Sequence, residues 1–173
     1  MQSKNEFTIV VLGSHNTGKT LLIEYFVFGA NTKPTRPTIE DIYRKVLKSG
    51  KIINIIDTSG EQSTIDKLRN LYSSSADGYL IVFNAKDSKS VAQAKLEYEH
   101  VSACENPITV IATHLGAEDI DSIVEKKQQL FRKANFYAVD LNHREPIIEI
   151  FEAIGGKIKQ SSRLKCRFCL CCC

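Results

Sequence analysis

Apolar and β-branched residues fall along this chain in short unbroken runs, and the runs are separated by longer stretches in which apolar positions recur at helical spacing. Thr8 to Leu12 is the first such run and predicts a central parallel strand buried on both faces. Leu21, Leu22, Tyr25 and Phe26 then repeat every three to four residues, which predicts a helix from Gly18 to Phe28. The polar, proline-containing stretch from Gly29 to Pro37 breaks it. Ile42 to Leu47 and Ile52 to Ile56 flank Ser49-Gly50 and predict an antiparallel hairpin. Tyr79 to Phe83 and Ile108 to Ala112 are further buried strands, and Phe136 to Val139 is a sixth. Helical patterns cover Thr64 to Leu71, Val91 to Ala103, Ile120 to Phe131, and Pro146 to Ile154, with Gly155-Gly156 as the expected stop.

Strands alternating with helices of this length predict an α/β fold. It is a six-stranded, mostly parallel sheet with one antiparallel edge strand and helices on both faces. Ligands of such sheets bind beyond the C-terminal ends of the strands. Three polar segments lie at such ends: Gly13 to Thr20, Asp57-Thr58-Ser59-Gly60 and Thr113-His114-Leu115-Gly116. One shared site is therefore expected.

The first segment, Gly13-Ser14-His15-Asn16-Thr17-Gly18-Lys19-Thr20, matches the spacing G-x-x-x-x-G-K-[ST] between a strand and a helix. A glycine-permitted turn aims backbone N–H groups inward, and the helix N-terminus adds its own donors and dipole, so the loop is suited to wrap phosphate. Lys19 would reach the β and γ oxygens, and Thr20 would place its hydroxyl on Mg²⁺. Asp57 ends a strand of isoleucines, where a carboxylate can hold the Mg²⁺ shell, and the Gly60 N–H can bond a γ-phosphate. The alternatives are a plain glycine turn and a strand-ending aspartate.

Composition changes this picture only at the C-terminus. The chain has 173 residues, 43% hydrophobic and 25% charged, with a net charge of +3, which fits one folded domain and gives no ground for nucleic acid as a partner. Lys157, Lys159, Arg163, Lys165 and Arg167 follow Glu152 with no acidic residue among them, a patch of the kind anionic lipid attracts. No run of 18 apolar residues occurs, and Met1 to Glu6 lacks the apolar core of a signal peptide, so the cytoplasmic face of a membrane is the expected compartment. Of the six cysteines only Cys104 lies before the tail; the others are Cys166, Cys169, Cys171, Cys172 and Cys173. That clustering is unlike a disulfide framework. Residues 1–156 are thus expected to form the nucleotide-binding domain and 157–173 a basic, cysteine-rich tail. A small zinc knot at Cys166 and Cys169 is the alternative for the tail, although no second spaced pair closes it.

Over residues 7 to 155 the chain resembles the Ras-like small GTPases, most closely the Ras/Rap branch. The collinear set that carries the resemblance is Gly13 to Thr20, Arg36-Pro37-Thr38-Ile39-Glu40-Asp41-Ile42-Tyr43-Arg44-Lys45, and Asp57 to Gly60. It implies the small GTPase fold, bound GTP or GDP, and Mg²⁺ held by Thr20, Thr38 and Asp57. It further implies an effector-facing loop at Ile39, Glu40, Asp41 and Tyr43, and a second switch from Glu61 to Leu71. Partners implied are effector proteins, with an exchange factor or a GTPase-activating protein acting on a monomer.

The departures from the family pattern all point one way. His15 and Asn16 stand where glycine is usual, and bulk at His15 would crowd the γ-phosphate. The catalytic group implied is Gly60, Glu61 and Gln62, but Glu61 precedes Gln62 in the reverse of the family order and places a negative charge where the attacking water is oriented. The family ends its fifth strand Asn-Lys-x-Asp, whereas this chain has Thr113-His114-Leu115-Gly116 and no carboxylate to read a guanine edge. An unmatched buried base edge costs about 1–3 kcal/mol per group. The later Ser-Ala-Lys aligns with Asp140-Leu141-Asn142, and the phenylalanine beside the base aligns with Asn31, so Phe28 could serve only after rearrangement. Asp119 could swing in toward the base. Slow or impaired hydrolysis and weakened base selection are expected, and a non-cycling scaffold that occupies effectors is the alternative. Terminal cysteines resemble a prenylated ending of the Rab type, with Cys166 or Cys169 open to palmitoylation.

Overall fold

The computed structural model describes residues 5–30, 40–60, 76–115 and 120–158. Six strands, β1 (Glu6–Leu12), β2 (Glu40–Val46), β3 (Ile52–Thr58), β4 (Gly78–Asn84), β5 (Ile108–Thr113) and β6 (Asn135–Ala138), form one sheet in the order β2-β3-β1-β4-β5-β6. Only β2 and β3 pair antiparallel; every other neighbouring pair is parallel. The expected fold class is therefore what the chain adopts. The hairpin closes through Gly50 N–H to the Leu47 carbonyl at 2.9 Å, with Gly50 at φ 80°, a left-handed turn that costs glycine little.

Among the described residues four α-helices flank the sheet: α1 (Lys19–Phe28), α2 (Ser88–Val101), α3 (Ile120–Lys127) and α4 (Arg144–Lys157). On one face Leu22, Ile23 and Phe26 of α1 meet Ile147, Phe151 and Ile154 of α4, and the Phe26 and Phe151 rings stack at 4.3 Å. On the other face Ala94, Tyr98 and Val101 of α2 join Phe83 and Phe131. This double covering explains why β1, β4 and β5 are written as continuous apolar runs. The helix predicted over Thr64 to Leu71 lies outside the described residues.

Of the boundaries that differ from the pattern reading, three have an identifiable local reason. The helix α2 begins at Ser88 rather than Val91, because the Asp87 carboxylate caps it by accepting the Lys89 N–H at 2.9 Å. The segment predicted as one helix from Ile120 to Phe131 tightens after Lys127 into a 3₁₀ turn at Gln128–Phe131, which delivers the Phe131 ring fully buried against Phe83 and Tyr98. The predicted stop at Gly155-Gly156 is corrected: α4 runs through both glycines to Lys157, and Ile158 is still core. Gly155 serves close packing, since a Cβ there would lie 2.1 Å from Leu47 Cδ1 of the hairpin. Lys51 Nζ donates to the Gly155 carbonyl at 3.0 Å and so ties the end of α4 to β3.

The register fixes where the polar strand ends meet. Val11 pairs with Asp57, Leu12 with Ile81, and Asn84 with Thr113. Parallel neighbours end on the same edge of the sheet, so the three polar segments that the sequence separates share one rim.

Candidate functional site

The rim is built around the loop from Gly13 to Gly18. Its backbone is shaped by residues that a side chain would disrupt. Gly13 sits at φ 139°, and a Cβ there would meet the Val82 carbonyl oxygen at 2.0 Å; Gly18, the N-cap of α1, sits at φ 86°. Asn16 also takes a left-handed conformation, φ 57°, which asparagine tolerates better than most residues. No side chain caps α1 and its first turn holds no acid, which suits a helix whose N-terminus receives an anion.

Polar side chains beneath the loop hold it in shape. Lys19 is almost fully buried and its Nζ donates to the carbonyls of Gly13 at 2.7 Å and Ser14 at 2.9 Å. Burial lowers its pKa, an effect opposed by the carboxylates of Asp57 and then Glu97. Thr17 is buried and its hydroxyl donates to the Ser14 carbonyl at 3.0 Å. His15 and Asn16 project into solvent at the crest.

Asp57 lies at the end of β3, fully buried. Its Oδ2 accepts the Thr20 hydroxyl at 2.6 Å, and among the described residues its Oδ1 has no hydrogen-bond partner. Burial pushes its pKa up to about 6, against the Thr20 hydrogen bond and the Lys19 charge. An orphaned buried carboxylate oxygen beside a threonine hydroxyl is the donor chemistry a Mg²⁺ shell requires, all oxygen and one full negative charge. Thr20 and Asp57 therefore fit that ion. Gly60 presses its backbone on the loop: a Cβ would come within 2.3 Å of the His15 nitrogen, so only glycine fits this approach.

The base-facing side is organised differently. Thr113 is fully buried, and its hydroxyl lies 2.7 Å from the Thr17 carbonyl and 3.0 Å from that of Phe83. It braces the end of β5 against the loop. The His114 Nδ1 is 3.0 Å from the same hydroxyl. Because that hydroxyl has one proton to give to a carbonyl, Nδ1 is best assigned as the protonated, donating nitrogen. His114 adopts φ 61°, and its pKa is lowered by partial burial and then by Lys86. Leu115 turns into the core. Leu141 packs against Gly18, where a Cβ would lie 2.9 Å from Leu141 Cδ1. Asp140 spends its Oδ1 on the Asn142 backbone and side-chain N–H groups, a self-contained turn.

Among the effector-loop candidates, Asp41 is exposed on β2, while the Tyr43 side chain is buried and meets Phe28 edge-on at 6.0 Å. Glu40 begins β2. Thr38, Ile39, Glu61, Gln62, Asn31, Gly116, Asp119 and the five tail cysteines lie outside the described residues. Pattern reading missed three contributors. Ser90 bonds the Ser14 hydroxyl at 3.1 Å, Leu141 seals the loop, and Glu97 is a carboxylate buried on α2. The signal for Glu97 was present, since it falls in the stripe of α2 that otherwise packs inward.

Comparison with known proteins agrees with this geometry. The model of the Ras family matches residues 8–160. Ras-related protein rapC of Dictyostelium discoideum is 36% identical over 99 residues, which is 55% of this chain but only 34% of that protein, so the match spans about a third of it. Ras-like protein rasB of the same organism is 24% identical over 171 residues, 93% of this chain and 86% of that protein. With its loop, its buried aspartate and its sheet order in register with that match, the chain belongs to the Ras family.

Proposed function

We propose that this protein is a Ras-like switch that binds GTP and GDP with Mg²⁺ and signals through the 37–43 loop, with slow or impaired hydrolysis. The observation that carries the reading is the bond from Thr20, in the first turn of a helix without a side-chain cap, to a buried Asp57 whose second oxygen has no hydrogen-bond partner among the described residues. In this reading Lys19 and the loop N–H groups hold the phosphates, and Thr20, Thr38 and Asp57 hold Mg²⁺, which would offset the charge of the phosphates when bound. Thr113 and His114 line the base side. Ile39, Glu40, Asp41 and Tyr43 belong to the effector surface, with Tyr43 acting through the set of the strand because its side chain is buried. An exchange factor and a GTPase-activating protein are the regulators of such a switch.

Impaired hydrolysis rests on Glu61 preceding Gln62 and on His15 at the loop crest. A single-turnover assay of phosphate release at an ordinary fast GTPase rate would refute it. The residues after Ile158 are the membrane-targeting tail, anchored by lipid on Cys166, Cys169, Cys171, Cys172 or Cys173 together with the basic residues; one lipid alone holds weakly, and a second signal makes the attachment stable. Detergent partitioning of the full chain against a truncation after Ile158, which keeps α4 and its core contact, tests this, and equal partitioning defeats it.

A second reading, a scaffold that occupies effectors without cycling, is favoured by one observation among the described residues: Thr113 is spent on the Thr17 carbonyl and Leu141 packs on Gly18, so neither offers a carboxylate to a purine edge. Denaturing the purified protein and identifying released nucleotide by chromatography, then titrating with GTP, GDP and ATP in Mg²⁺, separates the two. Released GDP or GTP supports the switch; an empty protein without measurable affinity supports the scaffold.

A further inference from the structure

The sheet order puts β2 at one edge and β6 at the other. Just ahead of β6 in the chain, the C-terminal half of α2 and the turn at Gln128–Phe131 leave an open groove of about 420 Å³. One wall is Lys95, Tyr98 and Ser102, spaced three and four residues apart and so on one side of α2. At 1.5 Å per residue they span about 10 Å, the reach of three residues of extended chain. The facing wall is Gln129, Leu130, Arg132 and Lys133, and among the described residues no carboxylate lines the groove.

Some of these polar groups are already committed. Lys95 pairs with Glu99 at 3.7 Å, and the Ser102 hydroxyl donates to the Glu99 carbonyl at 2.9 Å. The Arg132 guanidinium, the Lys133 ammonium and the Gln129 amide have no hydrogen bond or ion pair among the described residues. Tyr98 is 8% exposed; its oxygen accepts the Lys133 backbone N–H at 2.9 Å, and its own proton meets no acceptor among the described residues. A nearly buried O–H proton without an acceptor, beside two unpaired cations, calls for an anion. Leu130, 37% exposed, adds an apolar surface to the same groove.

We propose that this groove binds an acidic, extended peptide segment of a partner protein, with carboxylates on Arg132, Lys133 and the Tyr98 hydroxyl and an apolar side chain on Leu130. The inference goes beyond the switch reading and does not rest on it. Two unpaired cations call for two anionic charges, and an open groove about 10 Å long suits a chain that passes along it better than a compact ion. The acidic stretch is short. Beyond Arg132 and Gln129 the surface continues into a second depression lined by Glu125, Gln128 and Ala134, where another carboxylate would be repelled. The chain's own C-terminal residues are excluded as the occupant by charge, since Lys157, Lys159, Arg163, Lys165 and Arg167 come with no acid among them. Because β2 forms the opposite edge of the sheet, a partner held here leaves that strand uncovered.

The test is a ¹H–¹⁵N shift titration of the full chain with acetyl-Glu-Leu-Glu-Gly amide and, in parallel, with its neutral isostere acetyl-Gln-Leu-Gln-Gly amide. The acidic probe is expected to move the Arg132 Nε–H and the Ser102 and Lys133 amides saturably, and the neutral probe to leave them in place. Arg132 and Lys133 are exposed, so Arg132→Gln with Lys133→Gln keeps the fold; read at the Ser102 amide, it should weaken binding about tenfold or more. Lys48→Gln with Lys126→Gln removes the same charge from exposed positions outside the groove and should change affinity by no more than about twofold. Equal weakening by the two double variants would reduce the binding to diffuse charge attraction and overturn the proposal. So would an equal response to both probes, or shifts confined to residues 159–173. Vesicles of phosphatidylserine and phosphatidylcholine are the last arm. If Arg132→Gln with Lys133→Gln abolishes vesicle binding while the acidic probe moves nothing, the groove meets lipid and the peptide proposal is overturned. None of these readouts requires bound nucleotide, so failure of the switch reading leaves them unchanged.

Discussion

The two halves of the site solve different problems. In the phosphate half nearly every group serves the loop: Lys19 is folded onto the Gly13 and Ser14 carbonyls, Thr20 is bonded to Asp57, and Gly13 and Gly60 allow backbone to lie against backbone. In the base half the groups serve the protein. Thr113 ties β5 to the loop, Leu115 joins the core, Leu141 packs on Gly18 and Asp140 closes its own turn. Among the described residues, the first half leaves a buried carboxylate oxygen without a hydrogen-bond partner, Oδ1 of Asp57. In the proposed reading, such a site keeps the loop suited to phosphate while the groups on its base side are spent on structure.

The hardest way to break this contrast is at Gly13. Gly13→Ala puts a methyl 2.0 Å from the Val82 carbonyl at a φ that alanine resists, and we expect a loss of about 3 kcal/mol or more in chemical denaturation. An unchanged midpoint would mean that the loop is not held against β4. Next comes Lys19→Met, which removes the phosphate charge partner and should weaken Mg²⁺-GDP binding by about 100-fold in calorimetry, the scale of a buried charged hydrogen bond.

The pH dependence of stability isolates Glu97. Its carboxyl is held up to about 7 in the folded chain against the ordinary 4.5, so the folded state keeps a proton that the unfolded state releases. Stability is therefore full below about pH 4.5 and falls as pH rises toward 7, by on the order of 2 kcal/mol from this group. Glu97→Gln should lift the thermal midpoint at pH 8 and flatten the curve in that window. A wild-type curve that climbs through the same window in parallel with the variant would contradict the burial of this carboxylate.

The base half invites repair. Gly116→Asp restores a carboxylate at the position aligned with the base reader, and competition between GTP and ATP should move about tenfold toward GTP. No change would place the fault in Leu141 and the surrounding packing instead. The smallest expected effect is that of Thr113→Val, which removes the hydroxyl between β5 and the Thr17 carbonyl at constant volume and should cost about 1 kcal/mol of stability. Selectivity among nucleotides should be untouched, because the lost contact is internal to the protein.

The strands were legible because sheets covered on both faces demand continuous apolar runs, and β1, β4 and β5 supply them. The phosphate loop was legible because its backbone demands glycine at fixed spacing. Element ends were less so. Asp87 as a cap, the 3₁₀ turn that delivers Phe131, and the passage of α4 through Gly155-Gly156 each depend on a neighbour distant in sequence or on a local hydrogen bond that periodicity does not count. Glycine has two opposite uses, ending a helix or allowing another chain to touch it, and the spacing of residues 155 and 156 alone cannot separate them.

The sequence by itself determined the sheet, its order of elements, and a glycine-shaped loop of the G-x-x-x-x-G-K-[ST] pattern with a lysine, a threonine and a distant aspartate. Those are local requirements of backbone shape and burial, written into consecutive residues. Only the tertiary structure decided which oxygen of Asp57 is left without a hydrogen bond, that Thr113 is spent bracing the loop, and that Glu97 is buried on α2. Charge and hydrogen-bond satisfaction are settled between residues far apart in the chain, where burial strengthens each interaction and no periodicity records the pairing.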